Sequence, residues 1–231
     1  MKFDSGTCLP INEIFVTIQG EGSFSGTPSI FIRLQFCDVG CHWCDTKHTW
    51  LLNEDNIINF EELVTKERDS NKFSWCKIED IVKYIEVNYP QIKHVVITGG
   101  EPCYFNIYLL CDQLEKLGKQ VQIETSGTAE IKVTDNVWVT LSPKINMAGG
   151  KIVLKNSVAR ANEIKMPIGK QYDISVLEDF LKEHDYLLTN KIKIWLQPLS
   201  TNNTATKICF NEALKNNWNL SIQVHKYINC R

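Results

Sequence analysis

Three cysteines, Cys37, Cys41 and Cys44, stand in the pattern C-x3-C-x2-C. Gaps this short let one loop wrap three thiolates around a single inorganic centre. Three sulfur ligands are one short of a closed iron–sulfur site, and an open position is what catalysis needs. Trp43, just before the third cysteine, is an aromatic that shields such a centre. Two plainer readings stay open on spacing alone: zinc held by Cys37, Cys41, Cys44 and His48, or three unrelated thiols. The other six cysteines, Cys8, Cys76, Cys103, Cys111, Cys209 and Cys230, lack ligand spacing and read as free thiols.

Elements must bring such residues together. Short apolar runs rich in Val, Ile and aromatics predict strands at 13–18, 30–35, 94–98, 120–125, 138–142, 163–166, 191–197 and 220–224. Helical spacing appears at 78–87, 107–117, 174–181 and 204–216. This alternation predicts an α/β fold with a mostly parallel sheet and crossover helices. Residues 51–75 are polar and read as an insertion, partly helical at 60–66, in a single domain spanning 1–231. The polar motifs fall just after strands: 37–44, Gly99-Gly100-Glu101-Pro102, Ser126-Gly127, Pro143-Lys144 and Pro198. Ligands of α/β sheets gather beyond the C-terminal strand ends, so these five loops are expected on one rim. In the second loop the two glycines let a ligand approach the backbone, although an ordinary strand ending looks the same.

Composition sets the outer bounds. The chain has 231 residues, of which 43% are hydrophobic and 23% charged, so it is long enough to bury a core without disulfides. A net charge of −2 gives no support for direct nucleic-acid binding. No uncharged apolar run approaches the roughly 18 residues of a membrane span. Asp4, Asn12 and Glu13 interrupt any secretory segment, so a cytoplasmic protein is expected. Nine cysteines, an odd number with three in one cluster, fit a reducing compartment.

The cysteine signature with its aromatic, followed downstream by Gly99-Gly100-Glu101, resembles the radical S-adenosylmethionine (SAM) superfamily. There three cysteines hold a 4Fe–4S cluster whose fourth iron chelates SAM, and cleavage of SAM yields a 5′-deoxyadenosyl radical. A narrower resemblance covers nearly the whole chain. It is carried by Ile11-Asn12-Glu13, Ile18-Gln19-Gly20-Glu21-Gly22, Phe31-Ile32-Arg33-Leu34, Trp43-Cys44-Asp45-Thr46, the stretches 97–103 and 123–128, Ser142-Pro143-Lys144, Gln197-Pro198, and 223–227. Together these resemble the 7-carboxy-7-deazaguanine synthases of the queuosine pathway, in the form with an extended segment after the cysteine loop.

That resemblance implies an incomplete, TIM-like radical-SAM barrel and a homodimer. It implies conversion of 6-carboxy-5,6,7,8-tetrahydropterin to 7-carboxy-7-deazaguanine with loss of ammonia, using SAM, a 4Fe–4S cluster, Mg2+ and an electron donor such as a flavodoxin or ferredoxin. Matched motif by motif, Ile18, Gln19, Gly20 and Glu21 form the pterin turn, and Arg33, Thr98 and His225 are further substrate contacts. Trp43, Cys44, Asp45, Gly100, Glu101, Glu124, Ser126, Ser142, Pro143, Lys144, Gln197, Pro198, Leu199 and Ser200 face SAM, and Thr46 is the Mg2+ ligand.

The residues' own chemistry leaves alternatives. Glu21 pairs with a donor edge or is a solvated turn acid. Arg33, a lone cation in an apolar strand, holds a substrate carboxylate or a protein acid. Thr46 alone is an ordinary turn threonine, Lys144 a surface lysine and His225 a structural histidine. Phe36 departs from the pattern, since close relatives often have glycine before the first cysteine; packing of the loop should feel this more than ligation. A glycyl-radical activase shares the cysteine spacing but has no use for the 19–22 turn with Arg33. A zinc-stabilised binding module is the alternative from outside enzymology.

Overall fold

The computed structural model describes residues 6–186, 192–228 and 230, with no account of the Thr201 side chain. Among the described residues nine strands form one sheet: β1 (Cys8–Ile18), β2 (Pro28–Leu34), β3 (Ser74–Lys77), β4 (His94–Gly99), β5 (Gln120–Thr125), β6 (Trp138–Leu141), β7 (Glu163–Ile168), β8 (Lys193–Pro198) and β9 (Asn219–Leu220). Their order is β3-β1-β2-β4-β5-β6-β7-β8-β9. From β2 through β9 every pair is parallel, whereas β1 runs antiparallel to both β2 and β3. This is the expected mostly parallel α/β sheet, curled as a partial barrel.

The helices are α1 (Phe60–Thr65), α2 (Ile78–Asn88), α3 (Tyr108–Lys116), α4 (Lys155–Arg160), α5 (Gln171–Glu183), α6 (Asn203–Asn216) and α7 (Val224–Tyr227). Ile78, Ile81 and Ile85 recur at helical spacing and place one face of α2 in the core. Its first turn carries Glu79 and Asp80, which favour the positive helix end. The side chain of Asn202 caps α6 by accepting from the Thr204 and Ala205 amides. Each strand alternates. Ile30, Ile32, Leu34, Val95, Ile97, Val121 and Ile123 build one core with the α2 and α3 residues, and Ile164, Ile168, Leu196, Leu177 and Cys209 build a second. The opposite face carries Arg33, Thr98, Gln122, Glu124, Thr140, Glu163, Lys165 and Gln197, which turn into the barrel.

Three expectations need correction. Residues 220–224 do not form one strand: β9 stops at Leu220, and Val224 opens α7. Gln223 turns out of the sheet direction, and the chain folds back toward Gly20, whose carbonyl accepts from the Val224 amide at 3.1 Å. The 51–75 insertion ends earlier, because Ser74 and Trp75 belong to β3 and pair with Ile11 and Pro10. Within it Leu63 and Phe73 are fully buried, and Asn12 on β1 donates to the carbonyls of Ser70 and Lys72. The strand expected at 191–197 begins at Lys193, and Lys191 lies outside the described residues. α4 had no sequence forecast. Among the described residues no helix is long and apolar enough to cross a membrane.

Candidate active site

The cysteine loop leaves β2 through Phe36, whose φ of 90° is a conformation that glycine adopts without cost. Its ring lies edge-on to Tyr104, with centroids 5.5 Å apart. The loop is sewn to the 3-10 turn that follows it: Phe36 N donates to Thr49 O at 2.6 Å and Cys37 N to Trp50 O at 3.2 Å. Trp50 Nε1 points at Cys44 Sγ, 3.4 Å away. Cys37, Cys41 and Cys44 are all free thiols and line one cavity of about 370 Å³, a volume usual for small-molecule sites. Burial, with Glu101 and the neighbouring cysteines adding, pushes the Cys37 thiol up to about 12. Burial also raises Cys41. Thiols in this state bind iron with release of protons. His48 is absent from the cavity lining, as is Cys103, which is buried. The sulfurs of the cysteines lining the cavity number three, as a 4Fe–4S cluster with one open iron requires.

Across from the cysteines stands the end of β4. A Cβ on Gly100 would lie 1.9 Å from the Phe36 carbonyl oxygen, and the amides of Gly100 and Glu101 donate to Leu34 and Phe36. The close approach that demands glycine here is that of the chain's own cysteine loop. Glu101 is buried and satisfied within the protein. Its carboxylate accepts from Thr125 Oγ1 at 2.6 Å, Cys103 N at 3.0 Å, Ser126 N at 2.7 Å and Ser126 Oγ. It ties the loops after β4 and β5 together while lining the cavity. The rim is completed by Ser142, Lys144, Leu199 and Ser200. Burial lowers the Lys144 ammonium, which lies over Ser142 O at 3.0 Å.

The floor comes from the other end of the barrel. Because β1 is antiparallel, the turn after it brings Gln19 and Glu21 in beneath the rim. Gln19 donates to Gln122 at 3.2 Å and to Glu124 at 3.5 Å. Lys165 on β7 donates to Glu21 at 2.5 Å and to Glu124 at 2.6 Å. Gln223 and Gln197 donate to the other oxygen of Glu21, at 2.8 and 3.1 Å. Burial alone would raise Glu21, but the charge and hydrogen bond of Lys165 and a bond from Gln223 bring it well below the usual carboxylate range. Glu124 is raised by burial, with Glu21 and Glu163 adding, against the pull of Lys165.

On the side wall Arg33 places Nε 2.6 Å from Glu13 and its guanidinium over the Phe15 ring. It therefore has the protein acid that the sequence left as an alternative, and it lines the cavity as well. Thr98, Trp43, Asp45 and Thr46 line the same space, with Thr46 Oγ1 3.6 Å from Cys44 Sγ. His225 reaches it from α7 with Ile18 and Gly20. Of the site residues expected from sequence, all but Pro143 and Pro198 face this cavity. Pro143 follows β6, and Pro198 is the last residue of β8. Lys165, Gln223 and Trp50 were not anticipated. Lys165 carried a readable signal, since it is a lone cation in the apolar run EIKMPI, just as Arg33 is in PSIFIRL.

Similarity to known proteins agrees with this geometry. A model of the radical SAM superfamily matches residues 31–138. The 7-carboxy-7-deazaguanine synthase of Escherichia coli K12 is 49% identical over 95% of this chain and 98% of its own length. That of Buchnera aphidicola subsp. Schizaphis graminum is 48% identical over 96% of this chain and 99% of its own. The chain belongs to the 7-carboxy-7-deazaguanine synthase family. The crystal structure of QueE from Escherichia coli has the same fold, with a TM-score of 0.89 and 48% identity over 94% of each chain. Membership of this radical SAM family implies a 4Fe–4S cluster and SAM, and the three cysteines lining the cavity fit the cluster. The zinc module is set aside on the same ground.

Proposed function

We propose that this enzyme converts 6-carboxy-5,6,7,8-tetrahydropterin to 7-carboxy-7-deazaguanine with loss of ammonia. The observation that carries the reading is one cavity with two chemistries: three cysteines on its rim and a carboxylate–amide floor at Glu21, Glu124 and Gln19. Cys37, Cys41 and Cys44 would hold the cluster, which with SAM would supply radical chemistry for hydrogen abstraction at C6 of the pterin. The chain's own residues bind, orient and exclude water. Glu21, held anionic, accepts from the amino and N–H donors of the pyrimidine edge. Arg33, oriented by Glu13, offers its remaining N–H groups to the C6 carboxylate. Thr46 would offer Mg2+ a hard hydroxyl oxygen. Trp43, Gly100, Ser126, Ser142, Lys144, Leu199 and Ser200 surround SAM.

In the cell this reading includes a homodimer, cytoplasmic location and electrons from a flavodoxin or ferredoxin. The test is anaerobic turnover of the iron- and sulfide-reconstituted protein with SAM, reductant, Mg2+ and the tetrahydropterin, read by mass spectrometry. Product is expected, and Cys37→Ala, Cys41→Ala and Cys44→Ala should each abolish it while circular dichroism shows a retained fold. SAM cleavage with the pterin untouched would overturn the substrate assignment and leave the superfamily intact.

A further inference from the structure

Lys165 has no role in the proposed reaction as described, yet it occupies the centre of the cavity floor. Its side chain is only 5% exposed, and its ammonium touches two carboxylates that come from different walls. Glu21 belongs to the turn after β1, and Glu124 to β5. The division of hydrogen bonds is specific. Lys165 takes Oε2 of both acids. Oε1 of Glu21 accepts from Gln197 and Gln223, and Oε1 of Glu124 accepts from Gln122 and Gln19. Both carboxylates are thus turned so that Oε2 points inward to the lysine and Oε1 is served only by neutral amides.

We propose that Lys165 is a positioning residue for substrate: by engaging Oε2 of Glu21 and Oε2 of Glu124 it fixes two acceptor oxygens, one from each acid, at a set spacing for a nitrogen heterocycle with N–H donors. The proposal rests on the pterin reading above. The amides act as placeholders. An incoming N–H displaces a neutral amide more readily than an ammonium, because charge-assisted bonds are the stronger ones. The Gln19 contact to Glu124, at 3.5 Å, is the longest and the first to yield. Stability alone does not require this arrangement, since buried ion pairs are often replaced by apolar residues without loss.

The surrounding charges complete the frame. Glu163 lies one inward position before Lys165 on β7 and accepts from Thr140 at 2.7 Å. Lys144 stands after β6, and His225 approaches Glu21 from α7. One ammonium shared by two acids leaves acceptor oxygens on the floor for N–H donors.

The test uses the reconstituted holoenzyme and compares wild type with Lys165→Met and Lys165→Arg. Affinity for 6-carboxytetrahydropterin and for SAM is measured separately by equilibrium binding. Lys165→Met is expected to weaken the pterin roughly tenfold or more while SAM changes less than about threefold. Lys165→Arg keeps the charge but not the single-point geometry, so it falls between the two. It also keeps the test open if Lys165→Met does not fold. Pterin affinity within about twofold of wild type in both variants, or equal weakening of pterin and SAM, overturns the proposal. If wild type itself binds no pterin, the substrate reading fails. The proposal is then decided by carbon-13 carboxylate resonances of Glu21 and Glu124, assigned with Glu→Gln variants. Resonances that shift in Lys165→Met support it, and unmoved resonances overturn it.

Discussion

Single residues carry consequences that no neighbour compensates. His94 opens β4 inside the barrel, where its Nδ1 meets Ser29 Oγ at 2.8 Å and its ring lies 4.4 Å from that of Phe24. Burial lowers its pKa from 6.5 to about 4. A base depressed in the folded state binds its proton more readily when unfolded. The stability it contributes is therefore present above pH 6.5 and lost as pH falls toward 4. The full loss is on the order of 3 kcal/mol. Denaturant unfolding across that range should show this slope, and His94→Gln should flatten it by about one proton. Gly100 makes a different prediction. A methyl there meets the Phe36 carbonyl, so Gly100→Ala must push the cysteine loop away from β4. Iron content after reconstitution should fall and turnover drop roughly a hundredfold; unchanged iron loading would argue against the account. The sequence showed the need for glycine at this position but not its cause, because only the sheet order puts β2 beside β4. Arg33 was legible as a cation needing a partner, and the partner was not. Glu13 lies twenty residues earlier and reaches it only through the antiparallel register.

At the scale of elements, the loop between β6 and α4 works as a strap over the cysteine loop. Gly149 N donates to Val39 O at 3.0 Å, and a Cβ on Gly149 would lie 2.0 Å from the carbonyl oxygen of Asp38. Lys151 pairs with Asp38 at 2.6 Å, and Tyr104 donates to the same carboxylate. Gly149→Val should lift the strap, expose the cluster and speed its bleaching in air roughly tenfold, followed by visible absorbance. Lys151→Ala removes only a half-exposed pair and should cost less than about 1 kcal/mol by thermal melting. Helices and strands with clean periodicity, such as α2 and β5, were readable because burial repeats at the period of the element. β9 and α7 were not. The apolar residues Leu220, Ile222 and Val224 alternate like a strand, but tertiary contacts with the turn after β1 bend the chain there. The 51–75 segment misled in the other direction. Its polar composition hid an ordered piece, because backbone carbonyls bound by Asn12 and Lys66 leave no mark on side-chain pattern.

The molecule as a whole is a sheet that does not close on itself. The end of β1 beyond its pairing with β3 and the parallel edge at β9 are joined by side chains and a short helix. Gln223 donates to Glu21, Val224 N to Gly20 O, and Thr17 Oγ1 to Cys230 Sγ at 3.4 Å. Pattern and composition predict the parallel sheet and the common rim; this join draws residues from positions about two hundred apart, which no local pattern encodes. Removing the segment from 223 onward should leave the far-ultraviolet spectrum nearly intact, since the deletion takes only α7 among the elements. It should weaken pterin binding by roughly tenfold or more, because the cavity loses His225 and the turn that carries Glu21 loses the Val224 amide that anchors Gly20. Equal pterin affinity in the shortened chain would show that the floor stands without it.

The join also imposes an order in time. Glu21 leaves the ribosome some two hundred residues ahead of Gln223, an interval of roughly 10 to 40 s at ordinary rates of synthesis. Until Gln223 emerges, the barrel interior, once β5 and β7 have brought Glu124 and Lys165 to it, stands open along one seam. Every nascent chain passes through a stage in which the nine strands are made and the pocket is not, because Gln223 and His225 follow β9.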